Sequence, residues 1–138
     1  MKACGGIYGA GMRSIDTKVL VRLVTGDEPD QVALAEEFIA AGAWVSLLVL
    51  AETVWVLDTV YERTPAQILQ SIQMLLDHRD LTLQDPDVVM AALEHYRNRP
   101  SLGFSDCLVL EIARKAGHIP LGTFDRKLGK LEGAQYLE

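Results

Sequence analysis

Four carboxylates, Asp16, Glu52, Asp106 and Asp125, stand among neighbours whose apolar character argues for burial. Isolated buried charge is so costly that a fold keeps it only against a cation, a hydrogen-bond network or a proton, and four such positions in one chain suggest a shared metal ion. Glu52 is the sharpest case, because from Ala43 to Leu57 (AWVSLLVLAETVWVL) it is the only charged residue in fifteen. An oxygen-only ligand set without His or Cys selects a hard divalent cation, Mg2+ or Mn2+, which takes one or two protein carboxylates and completes its shell with water and substrate phosphate. Such an ion lowers the pKa of its bound water and neutralises charge on a phosphoryl group. The chemistry these residues would do is phosphodiester hydrolysis.

Each acid also has a structural reading. Asp16, Asp106 and Asp125 fall near expected helix starts, where Asp caps the chain and the helix dipole favours negative charge. Glu52 has no such role and would need a core partner or an edge to reach. Thr123, beside Asp125 at a strand end, either orients a metal-bound water or closes a turn. His78, His95 and His118 are scattered at helix or loop ends, and none pairs with a Ser or Cys as a nucleophile would require. Trp44, Trp55 and the tyrosines read as core or interface residues rather than base-stacking platforms.

The elements that must position the acids are legible as alternating strand-like and helix-period segments from Met12 onward, which indicates one α/β domain over residues 12–138. Strands are expected at 12–16, 43–46, 81–84, 119–123 and 134–137, with helices between them. Thr64-Pro65-Ala66-Gln67 combines an N-cap, Pro at the first helical position and a capping-box Gln, and Asp85-Pro86 repeats the cap-plus-Pro signal. Ile68, Ile72 and Leu75 form one apolar stripe, and Val89, Leu93 and Tyr96 another. Gly117 is placed to end the helix carrying Cys107 to Ala116. In a parallel sheet ligands lie beyond the carboxyl ends of the strands, where Asp16 and Asp125 fall. Asp106 opens the helix leading into the fourth strand, and Glu52 lies one or two turns into the helix after the second.

The bulk properties set outer limits. A chain of 138 residues fits one domain, and residues 1–11 (MKACGGIYGAG) are expected to be a poorly ordered extension. Cys4 and Cys107 have no metal-finger or CxxC spacing, which fits a reducing compartment, and Cys107 reads as a small core residue. No run approaches the roughly 18 apolar residues of a bilayer span, so the expected location is cytoplasmic, with no membrane association. The net charge of −6 argues against a general nucleic-acid-binding surface. Residues 97–130, however, carry seven basic side chains (Arg97, Arg99, Arg114, Lys115, Arg126, Lys127, Lys130) against Asp106, Glu111 and Asp125, a local balance of +4. Neutralising the four acids with metal would bring the total to −2, which tolerates a polyanion.

The segments IDTKVLVRLV around Asp16, LAETVWVL around Glu52, GFSDCLVLEIARKAG around Asp106 and LGTFDRKLGKLEG around Asp125 resemble, in order and spacing, those of PIN-domain ribonucleases, and specifically the VapC-type toxins of prokaryotic toxin–antitoxin pairs. The resemblance runs from Met12 to Leu137. It implies a three-layer α/β/α domain with a parallel sheet of order 3-2-1-4-5 and Mg2+-dependent endonucleolytic cleavage of RNA. It also implies that Asp16 and Asp106 are the main metal ligands, with Glu52 and Asp125 completing the acidic site. Family members commonly form homodimers and are inhibited by a small antitoxin, whose basic, apolar C-terminal segment would match the acids through Arg. One departure is Lys18, where many relatives have Asn: a cation there would compete with the metal or contact phosphate. Two other readings stand beside this one. The first is a PIN-fold protein that binds RNA or a partner without cutting. The second is a receiver-like signalling domain, which the unpaired Asp16 and the cap-like Asp85 speak against.

Overall fold

The computed structural model describes residues 11–138, and its chain contacts divide into two compact units, Met1–Gln84 and Asp85–Glu138. The expectations for residues 1–11, Cys4 included, lie outside the described residues except at the exposed Gly11.

In the first unit, β1 (Arg13–Ser14), β2 (Ala43–Val45) and β3 (Leu81–Leu83) form a parallel sheet of order β1-β2-β3. Four helices connect them: α1 (Thr17–Thr25), α2 (Pro29–Ile39), α3 (Leu47–Thr59) and α4 (Pro65–Asp77). The capping box at Thr64 is present in full, with Thr64 Oγ1 accepting from Gln67 N–H and Gln67 Oε1 accepting from Thr64 N–H. A cap of this kind stabilises by roughly 1 kcal/mol. The stripe Ile68, Ile72 and Leu75 is buried, as its spacing requires. All three strands are shorter than expected, and Ser46 shows why for β2: its hydroxyl accepts from Val49 N–H, turning the strand's expected last residue into the cap of α3. Gln84 seals the same corner, its N–H donating to Val45 O and its side-chain oxygen accepting from Leu47 N–H.

The second unit holds α5 (Pro86–Asn98), α6 (Phe104–Ala116), β4 (Leu121–Thr123) and β5 (Ala134–Tyr136), with β4 and β5 paired in parallel. Helices α5 and α6 pack through Val89, Leu93, Tyr96, Phe104, Cys107 and Leu110, all buried, with Tyr96 and Phe104 meeting edge to face at 6.1 Å. Gly117 terminates α6 at φ +85°, where a side chain would be strained. Asp85 departs from the expected cap. It adopts φ +46° and caps nothing through its side chain, which instead accepts from Lys115 Nζ at 3.0 Å.

The α/β class and the partial orders 3-2-1 and 4-5 agree with the sequence reading. Among the described residues, no helix is long and apolar enough to cross a membrane.

Candidate functional site

Burial, the expectation that first marked out the four acids, does not hold for three of them: Asp16, Glu52 and Asp125 are exposed, and Asp106 is half-buried. The reasons differ. Asp16 is the N-cap of α1, its Oδ1 accepting from Val19 N–H at 3.1 Å, and a cap lies at a helix mouth rather than in the core. Asp125 lies in the turn before the short 3-10 helix Leu128–Lys130, its Oδ1 accepting from the N–H groups of Lys127 and Leu128 at 2.8 and 3.0 Å. Glu52 surfaces on α3 between Leu48 and Trp55, both also exposed. A helix apolar on every side does not declare which face is outward, so the surrounding hydrophobicity was misleading there.

In the first unit, Thr17 links two of the acids. Its hydroxyl donates to Glu52 Oε1 at 2.6 Å, while its neighbour Asp16 caps the same helix. The Asp-Thr pair at the end of β1 therefore orients one carboxylate directly and a second through the adjacent hydroxyl. In each of Asp16, Glu52 and Asp125, one oxygen is held by a protein donor and the other has no protein donor among the described residues. Lys18 is exposed and makes no ion pair with Asp16 or any other described carboxylate.

In the second unit, Asp106 lies in the first turn of α6 with no hydrogen-bond donor or cation against it among the described residues. Burial pushes its carboxyl above the ordinary carboxylate range, and the negative charge of Asp125 adds to the shift. These two acids are thus close enough to repel one another. Thr123 closes the turn, its Oγ1 accepting from Asp125 N–H at 3.0 Å.

The most deeply buried carboxylate is one the sequence did not single out. Glu111 is 7% exposed and accepts from Arg114 Nε at 3.2 and 3.3 Å, with His95 Nε2 at 2.8 Å from its other side. Arg114 also donates to Glu132 O at 2.6 Å, and its guanidinium fills the space beside Gly133, where a Cβ would come within 2.9 Å of it. Since Gly133 O accepts from Leu121 N–H at 2.8 Å, this cluster ties α6 to the β4–β5 pair. It fixes the helix bearing Asp106 against the strand that leads to Asp125. In the sequence, Glu111 looks like one more polar position beside Arg114 and Lys115, which hid it; a His at helix-facing distance on α5 was the only signal. Of the seven basic residues of segment 97–130, Arg97, Arg114 and Lys115 are paired with acids. Arg99, Arg126, Lys127 and Lys130 have no carboxylate partner among the described residues.

Among the described residues, no three His, Cys, Asp or Glu side chains gather into a group that could hold a metal ion. The donors available are nonetheless those a hard cation takes: carboxylate oxygens with a free lone-pair side, and in Asp106 and Asp125 two like charges that a cation would relieve. Cys107 offers no competing thiolate, since burial pushes its thiol up to about 11. Compared with known proteins, the chain matches the PIN domain family over residues 14–134. No curated protein matches it.

The electrostatics of Asp106 carry a stability consequence. Because its folded-state pKa is raised, the folded chain holds this proton more tightly than the unfolded chain, so stability falls as pH rises from the ordinary carboxylate range through the raised value and stays reduced above it. Asp106→Asn removes that penalty. By thermal melting without divalent ions, the variant should be more stable than the wild type at pH 7, with the gap closing toward pH 3. A variant that melts lower than the wild type at pH 7 would contradict the cost that burial and the neighbouring charge of Asp125 place on Asp106.

Proposed function

The chain belongs to the PIN domain family, and on that premise we propose that it is a Mg2+-dependent endoribonuclease, a toxin of the VapC type restrained by a small antitoxin. The fold is nuclease-like, and proteins of this family are generally hydrolases of nucleic acid that use divalent metal ions. The observation that carries the finer reading is the retention of all four acids within the matched span, three of them with one oxygen held and the other open.

In this reading Asp16 and Asp106 are the ligands of Mg2+, with Mn2+ as a substitute, and Glu52 and Asp125 serve the attacking water and its network. A bound ion of this kind supplies an acidified water and charge neutralisation at the phosphoryl group. The protein's own contribution is orientation. Thr17 fixes one oxygen of Glu52 and leaves the other to accept a hydrogen bond from water. The N-cap bond holds Asp16 in one rotamer, and the two N–H donors hold Asp125. The clamp of Glu111 on Arg114 fixes the helix bearing Asp106 against the strand leading to Asp125. Lys18, free of ion pairs with described carboxylates, is available to a phosphate rather than set against the metal, which favours cleavage over a binding-only role. Family membership displaces the receiver-like alternative.

An antitoxin site is supported by a groove of about 760 Å³ in the first unit. Leu34, Ala35, Phe38, Trp44 and Val49 make much of its lining apolar, with Asp16, Lys18 and Arg22 among its charged residues. A short partner segment with apolar side chains for the groove and an Arg for Asp16 fits that combination. A homodimer and a cytoplasmic location complete the reading by resemblance to the family.

Two outcomes are expected. Purified, partner-free protein should cleave single-stranded RNA with Mg2+ or Mn2+, stop in EDTA, and lose at least about a hundredfold in rate in Asp16→Asn and in Asp106→Asn; undiminished cleavage in both variants would mean the activity is not this protein's. Co-expression with a small protein from an adjacent reading frame should yield a complex that Leu34→Glu weakens while RNA cleavage by the free variant persists. A complex indifferent to Leu34→Glu would remove the groove from the proposal.

A further inference from the structure

We propose that Phe124 is a stacking platform for an unpaired nucleobase, held beside Asp125 so that a base flanking the cleaved phosphate packs on its ring; this rests on the nuclease reading above. Phe124 is 79% exposed, more than any other large hydrophobic residue described. An isolated exposed aromatic is unremarkable on a mobile surface, but this one stands on a fixed turn. Thr123 before it is held in the β4–β5 pairing, with its carbonyl accepting from Leu137 N–H at 2.8 Å, and its hydroxyl accepts from Asp125 N–H. Asp125 after it takes two backbone N–H groups, and Leu128 at the end of the turn is buried. The backbone that bears the ring is therefore held in one place, one residue from a carboxylate assigned to the chemistry.

The charge around the ring points to the same kind of ligand. Arg126, Lys127 and Lys130 follow within six residues, none paired with a carboxylate among the described residues. The guanidinium of Arg126 lies 4.9 Å from the centre of the Tyr136 ring, which stiffens it without neutralising it. A bare aromatic face beside unneutralised cations suits a chain that alternates π-faces with phosphates. Only a single strand can use such a face, because the bases of a duplex are already stacked on one another. An apolar peptide would use the ring but not the cations, and an acidic peptide the cations but not the ring.

The test is binding of a fluorescently labelled, unstructured oligoribonucleotide of about a dozen nucleotides, within the site sizes of single-strand binders, measured by anisotropy in EDTA so that it is not cut. Phe124→Ala and Phe124→Leu should bind roughly five- to 150-fold more weakly than the wild type, the range expected for loss of one base stack. Phe124→Tyr, which keeps the π-face, should bind as the wild type does. Melting temperatures should not move, because the ring is exposed. An oligonucleotide with abasic sites should not distinguish the variants. The proposal is overturned if Phe124→Ala binds normally, or if Phe124→Leu does, since the ring would then be only an apolar surface. Wild-type protein that cuts RNA while Phe124→Ala binds and cuts equally well removes the stacking role alone. Wild-type protein that neither binds nor cuts RNA removes the nuclease reading as well.

Discussion

A carboxylate does not stay on partly dehydrated ground without a reason, and the burial of Asp106, with the negative charge of Asp125 adding to its cost, is the constraint on which this account depends. Half-buried, the charged Asp106 carboxyl is poorly solvated, and the negative charge of Asp125 adds to that cost, so the folded chain holds a proton on Asp106 more tightly. A divalent cation answers the same demand at neutral pH without consuming a proton. The unfavourable setting of Asp106 is what the proposed ion would relieve, and proteins accept such local costs at sites that work.

Keeping two repelling groups together requires something stiffer than they are. Glu111 supplies it, being a buried carboxylate whose charge is matched by Arg114 and which is also hydrogen-bonded to His95. A buried pair of this sort adds little net stability when intact, but breaking it leaves an uncompensated charge at a cost of about 3–5 kcal/mol. Its geometry is therefore strongly enforced. Through Glu132 O and the space left by Gly133, that enforcement reaches the β4–β5 pair and the turn holding Asp125. On the other unit, the equivalent work is done by cheaper means, a helix cap at Asp16 and one hydroxyl from Thr17 to Glu52.

Much of the fold could be read from the chain because local rules and tertiary packing agree. Thr64 to Gln67 makes a capping box in any context, Gly117 ends a helix because few other residues adopt its φ, and the stripes of α4 and α5 bury what their spacing says they should. The reading failed where a residue has two competing local options. Ser46 left β2 for the cap of α3, and Asp85 gave up its cap for Lys115. The acids themselves were identified by type and order, while the reason first given for them, burial, was wrong for Asp16, Glu52 and Asp125. Apolar neighbours in sequence are not neighbours in space at a helix mouth or on the outer face of α3. Glu111, Thr17 and Phe124 escaped notice because their meaning lies in distant partners or in exposure, neither of which periodicity records.

The central claim is that the acids exist to hold a divalent ion, and crystals soaked in Mn2+ and recorded at a wavelength where manganese scatters anomalously test it most directly. The account predicts an anomalous peak at coordination distance, about 2 Å, from oxygens of both Asp16 and Asp106. Well-ordered crystals with no peak at either carboxylate, at Mn2+ concentrations that saturate cleavage, would contradict it.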